Sequence, residues 1–583
     1  MRLPKLSVLQ ASREMVDTFK GYNHNLRIGD GEFFDMKNMT SDSYPVLSPR
    51  QKRGYHFFNL LNPKGLIEKD ALCYVTPPYF VCNDYSVDMG LNNEPKQLVS
   101  MGAYVIIMPD KKWVNTMDLT EFGDIEAHFD NEDSQNDVTF SLCTIDGADY
   151  ENVTVSPTAP EEPENMALWI DTSSEPHVLK KYSKASAVWV QVATTYVKIS
   201  SPGIGTAFEL YDGVTISGIK NEALKDLNAS MVIWAKGDDY IVVVGILDAV
   251  TSQPAQAGVI HVDRKMPNMD FLVESENRLW GCRYGVAANG EVVNEIYSCK
   301  LGDFKNWNCF MGLSTDSYAA TCGTDGQFTG AITHLGYPLF FKENYVHKVY
   351  GNYPANFQIQ TTACRGVQRG CGRSLAIVNE TLLYKSRSGV CAYDGSLPTE
   401  VSYALGNEAY SNAVGGAIGN KYYISMADFE GKYHLFVYDL AKGMWHKEDD
   451  LKVEEFCAAR GELYAIVGSE IMAMLGSSTP LEDSLEWMVE TGEIGISSPD
   501  TKYISRITIR MSMDIGSEVR FYAKYDFGDG WEEIGTVRSN NLRSFSIPIR
   551  PKRCDHMKLR IEGSGMAKIY SITKTIEGGS EMS

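Results

Sequence analysis

Adjacent carboxylates such as Asp238-Asp239, Asp449-Asp450, Glu454-Glu455 and Glu532-Glu533 have the residue types for moving protons. Glycoside hydrolysis asks for an acid and a base across one substrate, with carboxyls about 5 to 9.5 Å apart. Neighbours on a strand point to opposite faces, so such a pair does not clasp one substrate by itself. Two histidine–carboxylate pairs, His261-Val-Asp263 and Asp555-His556, carry metal-ligand chemistry. Neither has a third ligand close in sequence, and a surface or capped histidine is far commoner than a ligand. The run from Asp130 to Asp137 is dense in oxygen donors, but Gln135 stands where a calcium loop needs glycine for its sharp turn. It reads as a solvated acidic loop. No Gly-x-Ser-x-Gly elbow, phosphate-cradling Gly-Lys-Ser/Thr loop or His-Glu-x-x-His is present. The expectation is no catalytic residue, no cofactor and no metal.

Aromatic residues are the other candidates. Trp234, Trp280, Trp307, Trp445 and Trp531 can in principle stack on sugar rings. Their position at strand ends favours packing between sheets. Trp531, in Gly528-Asp-Gly-Trp, falls at a hairpin tip and is the best candidate for a surface or glycan contact. The 12 cysteines are scattered from Cys73 to Cys554 with no Cys-x-x-Cys pair. That spacing suits buried thiols in a reducing compartment better than a zinc site or a disulfide scaffold.

The elements that must position these groups read as strands. A Gly or Asn followed by an aromatic-aliphatic run recurs at Gly102, Gly237, Asn277, Gly336, Asn379, Gly419 and Gly461. Turn-fed strands at a period of roughly 40 to 50 residues predict small antiparallel sheets arranged radially, a β-propeller of six to eight blades. The clearest blade runs from Gly415 to Trp445. Residues 1–60 read as an extended arm that meets the propeller or a neighbouring subunit, because Tyr44-Pro-Val-Leu-Ser-Pro is held away from helix. Propeller segments are expected over 61–121 and 237–478, with an inserted β domain over 122–236. Within that insert, Ala187–Val192 and Thr206–Tyr211 read as strands, and the proline-rich Pro157–Pro163 as an exposed loop. Residues 479–583 alternate apolar with Arg, Lys or Ser, the pattern of a jelly-roll-like β-sandwich with one wet face. Its basic alternation suggests a flank turned towards an acidic partner.

The bulk composition bounds the function. The chain has 583 residues, too many for one ordinary core. A net charge of −21 argues against binding nucleic acid with the whole surface. The N-terminal residues lack the apolar core of a signal peptide, and no apolar run approaches the length of a membrane span.

Several segments resemble propeller-type tail hub or nozzle proteins of tailed bacteriophages and prophages. Ile28-Gly-Asp-Gly-Glu-Phe-Phe-Asp-Met-Lys-Asn-Met39, followed by Tyr44-Pro-Val-Leu-Ser-Pro-Arg-Gln-Lys-Arg-Gly54, is similar to their N-terminal arm. Ile296–Trp307, Leu339–Gly351 and Leu383–Gly395 resemble their blades. The resemblance implies a non-enzymatic virion subunit, forming a ring of several copies that joins the head or tail tube to distal tail parts. It would be assembled in the host bacterial cytoplasm, with other head-tail or tail-fibre proteins as partners and DNA only as passing cargo. Tyr44, Pro45, Arg50 and Arg53 are then candidate assembly residues on the arm. Two alternatives remain: a tail-tip receptor-binding protein that grips a host glycan through its C-terminal domain, and a propeller glycosidase.

Overall fold

The computed structural model describes residues 11–578, apart from 58, 70, 132–137, 247–251, 257, 288–289, 477–478, 481, 497–500, 527, 529, 539–542 and 548–551. Most of the acidic run that ends at Asp137 therefore lies outside the described residues. The protein is mainly β, built largely from small four-stranded sheets. Among the described residues, no helix is long and apolar enough to cross a membrane.

Seven sheets form a propeller-like ring: five are four-stranded, the sixth is one end of a ten-stranded sheet and the seventh has five strands. Their first strands are Gly65–Lys69, Gln97–Met101, Phe271–Ser275, Gly330–His334, Ala376–Val378, Ser411–Ile418 and Glu455–Ala459. Each touches the next in this order and the last touches the first, with the turn Gly372–Ser374 mediating between the fourth, fifth and sixth sheets. The recurring sequence phrase marks the tight turn from first to second strand. Asn277 and Gly336 there have φ of 58° and 80°, the left-handed region that glycine and asparagine tolerate best.

The sixth sheet shows how sequence sorts the ring. In Lys421–Ala427 almost every residue is buried, as expected for a strand covered on both faces. Tyr422, Ile424 and Met426 join the core shared with Leu382 and Leu383 of the fifth sheet. Tyr423 points the other way, into a core with Leu463 and Ala465 of the seventh. Period-two alternation thus packs one strand against two neighbours. At Gly416 a Cβ would sit 2.4 Å from Phe456 Cβ, so glycine is what lets the sixth and seventh sheets approach.

The insert is larger than expected and shifted along the chain. Its sheets run from Ala127–Asp130 to His261–Arg264, around a core that includes Phe140, Ile199, Val214 and Ile241. The phrase at Gly237 belongs to it: Tyr240–Val244 pairs with Tyr196–Ser200, and the ring resumes only at Phe271. Thr206–Tyr211, expected as a strand, is instead the end of a 3₁₀ turn followed by irregular chain. A buried Asp212 fixes the insert to the ring. It pairs with the Arg264 guanidinium, and its Oδ1 accepts from Asn306 Nδ2 of the third sheet's loop at 2.9 Å.

The N-terminal segment, expected as an arm that meets the propeller or a neighbouring subunit, pairs with strands of this chain. Ala11–Val16 pairs with Ala567–Gly578, and Glu32–Lys37 pairs with Glu486–Thr491. Gly21–Tyr22 joins this second sheet to Met444–Lys447 of the sixth ring sheet, with Tyr22 opposite Trp445. Gly54–Phe57 then becomes the fourth strand of the seventh sheet, between Glu470–Ala473 and Thr479–Pro480. The C-terminal residues supply the remaining strands of two sheets that share one core, with Ile507, Ile509 and Met511 from one and Phe521, Leu559 and Ile561 from the other.

Arg50 and Arg53 fasten these parts together. Arg50 grips Glu482 in a bidentate pair at 2.7 and 2.8 Å. Arg53 donates to Glu448 Oε2 at 2.5 Å and to Asp449 Oδ2 at 2.6 Å. Both arginines, candidate assembly residues on the arm, are buried. Removing one partner strands the others without compensation, at a cost of about 3–5 kcal/mol. Arg53→Ala is expected to lower the urea midpoint of the ring and the C-terminal sheets together. Two separated transitions, with only one displaced, would show that the knot does not couple them.

Candidate functional site

Connecting segments from three sheets meet across the ring. Arg373, in the turn that leads into the fifth sheet, donates from Nη1 to Glu454 O and from Nη2 to Lys96 O, both at 3.0 Å. Glu454 precedes the seventh sheet and Lys96 precedes the second, so one guanidinium links connectors across the ring. Lys96 is itself buried, with Nζ 2.5 Å from Asp110 and 2.6 Å from Asn92 Oδ1.

Glu455 opens the innermost strand of the seventh sheet. Its carboxyl faces the first sheet, where the Leu66 N–H donates to it, and its Oε2 lies 3.7 Å from Arg373 Nη1 without a hydrogen bond. Burial pushes this carboxyl up to about 7, with Arg373 and the Leu66 amide opposing the rise only in part. A carboxylic acid poised near neutrality between two sheets of a ring can lend or take one proton. It is a single group: Glu454, its neighbour, enters the arrangement through its backbone carbonyl.

The other carboxylate pairs are spent on structure. Asp449 holds Arg53, whereas Asp450 meets Lys432 at 2.8 Å. Asp239 accepts the Gly203 amide at 2.7 Å, and Glu532 binds Lys552 at 2.6 Å. Glu533 accepts the Thr536 hydroxyl at 2.7 Å. His261 and Asp263 gain partners that sequence proximity hid, because His128 and Asp130 lie opposite them on the adjacent strand. His261 Nδ1 is 2.6 Å from Asp130, and His128 contacts both Asp263 and Asp130. These contacts, Asp263 first, hold His128 above its ordinary value. Asp555 and His556 pair with each other at 3.2 Å. Among the described residues, no cluster of three or more His, Cys, Asp or Glu is arranged to hold a metal ion.

Trp280, Trp307 and Trp445 are buried, and Trp445 Nε1 donates to Val401 O at 2.7 Å. Trp531 is half-buried and covered: the Arg560 guanidinium sits 4.1 Å over its ring. The basic residues of this sheet face have carboxylates of their own. Arg560 lies 2.9 Å from Glu490, and Glu518 takes both Arg520 and Arg538. On this sheet the basic flank expected to seek an acidic partner is therefore paired from within. Of the four candidate assembly residues, Tyr44 and Pro45 are exposed, whereas Arg50 and Arg53 are not. Arg373 gave no sequence signal, because its importance comes from three connectors meeting in space.

No protein-family model matches the chain, and no curated protein does. Among solved structures it is similar to the exo-β-1,3-galactanase of Phanerochaete chrysosporium, at 9% identity over 52% of this chain and 94% of that one, with a TM-score of 0.20. An acylaminoacyl peptidase of Pyrococcus horikoshii gives 11% identity over 60% and 57%, with a TM-score of 0.25. A family 43 arabinoxylan arabinofuranohydrolase of Bacillus subtilis gives 7% over 51% and 94%, with a TM-score of 0.16. Superpositions this loose carry no argument about the chemistry of this chain.

The state of Glu455 is measurable. Its ordinary value is 4.5, against about 7 in the fold. Between these the folded state binds more protons than the unfolded chain, so this group's contribution to stability falls as pH rises across that window. Glu455→Gln is expected to remove that decline and to exceed the parent above pH 7 by on the order of 2 to 3 kcal/mol. Parallel slopes for parent and variant in denaturation midpoints from pH 4.5 to 8 would show an ordinary carboxyl.

Proposed function

We propose that this chain is a non-catalytic virion subunit of a tailed bacteriophage, a tail hub or nozzle component that forms a ring with copies of itself. In this reading the seven-sheet ring is a seven-bladed propeller closed by Gly54–Phe57, and the C-terminal unit is a jelly-roll-like sandwich completed by the N-terminal strands. The observation that carries the proposal is the buried ionic knot of Arg50 and Arg53. It spends charge on making the propeller and sandwich one rigid body, which is what an assembly subunit under load requires. The similarity of residues 28–54, 296–307 and 339–351 to tail hub proteins points the same way.

Arg373 ties connectors of the second, fifth and seventh sheets across each chain's own ring. A genome would therefore pass along the axis of the assembled ring, where a net charge of −21 limits sticking. Exposed Tyr44 and Pro45, at the junction of ring and sandwich, are the arm residues left to meet a neighbour. Electron microscopy of the purified chain is expected to show closed rings of one rotational symmetry. A protein that stays monomeric at high concentration, and is absent from purified virions, would sink the proposal.

Glu455 favours a second reading, a propeller glycosidase with that carboxyl as general acid. It requires sugar release from cell-wall or plant-type glycans that Glu455→Gln abolishes while leaving the fold intact. A receptor-binding role for the sandwich requires host-cell binding that Trp531→Ala weakens at least tenfold.

A further inference from the structure

Cys73 and Cys82 lie directly opposite each other on the antiparallel strands Ala71–Thr76 and Tyr79–Cys82. Only Pro77 and Pro78 separate the strands, so Thr76 and Tyr79 flank a two-residue turn. Residues flanking such a turn form a hydrogen-bonded pair, and pair types alternate along an antiparallel ladder. Three steps from the turn, Cys73 and Cys82 form a non-hydrogen-bonded pair. In that type the Cα atoms are about 4.5 Å apart and the side chains approach most closely. A disulfide spans Cα separations of about 4.4 to 6.8 Å. Cross-strand partners point to the same face, here into the core that the first sheet shares with the second. Other strand cysteines face different residue types: Cys143 meets Tyr196, Cys282 meets Ile296, Cys391 meets Glu400 and Cys457 meets Tyr464.

We infer that Cys73 and Cys82 are a built disulfide site, open in a reducing cytoplasm and closed by a small-molecule disulfide outside it. One thiolate attacks a sulfur of the oxidant and expels the first thiol; the second thiolate then attacks the mixed disulfide and expels the other. The two cysteines lose two protons and two electrons, and the oxidant is reduced to two thiols. The new bond staples the second and third strands of the first sheet. That sheet packs against the seventh, where the ring closes on itself. The inference rests on strand register and does not depend on the tail-subunit reading, whose own test is ring symmetry.

Residues 70–96 form one tryptic peptide that carries both cysteines and no other. The full chain is incubated with oxidised glutathione, denatured with N-ethylmaleimide, and digested without reduction. The expected peptide is about 2 Da lighter than its reduced form and takes up no maleimide. Cys73→Ser loses this species and leaves Cys82 capped. A parallel incubation in sub-denaturing urea admits the oxidant to the buried thiols. Maleimide or glutathione on both cysteines in both incubations, or a bond from either one to a different cysteine, overturns the inference.

Discussion

Two guanidinium groups three residues apart, Arg50 and Arg53, set the terms for everything around them. Taking each out of water costs several kcal/mol, and the cost is offset only when carboxylates arrive with good geometry. Those carboxylates come from separate places. Glu448 and Asp449 follow the last strand of the sixth ring sheet, and Glu482 lies where the chain leaves the seventh for the C-terminal unit. No two of the three segments satisfy the arginines alone. The ring, its closing strand and the C-terminal sheets are thereby made conditional on one another.

The same economy runs through the polar groups elsewhere. Asp212 holds the insert to the third sheet, Arg373 ties connectors across the ring, and the outward arginines of the C-terminal sheet are matched by glutamates. Glu455 is one of several exceptions: its Oε2 is buried without a hydrogen bond, as are Arg53 Nε, Trp113 Nε1 and Arg560 Nε among the described residues. A buried acceptor left unmade costs free energy, and this one lowers the penalty by holding its proton up to about 7.

How much of this was legible depended on whether the cause was local. The turn phrase was readable because left-handed backbone selects Gly or Asn whatever surrounds it. The same phrase at Gly237 misled for that very reason: it specifies a hairpin and not the sheet to which the hairpin belongs. The alternation of residues 503–511 identified a half-wet strand. By contrast, Ala11–Val16 is exposed along nearly its whole length, so it carries no apolar pattern, and only its partner 560 residues away makes it a strand. The link between His128 and His261, like the meeting at Arg373, is long-range and left no trace in spacing.

The strand Gly54–Phe57 is made early and used late. Its partner, Glu470–Ala473, leaves the ribosome more than four hundred residues afterwards, and the partners of Ala11–Val16 and Glu32–Lys37 come later still. At about 5 to 20 residues per second, that wait lasts roughly 20 to 80 s. Throughout it the nascent chain exposes strand edges with nothing of its own to pair with. Translation speed and chaperone cover, rather than the final contacts alone, therefore govern how much of this protein closes correctly.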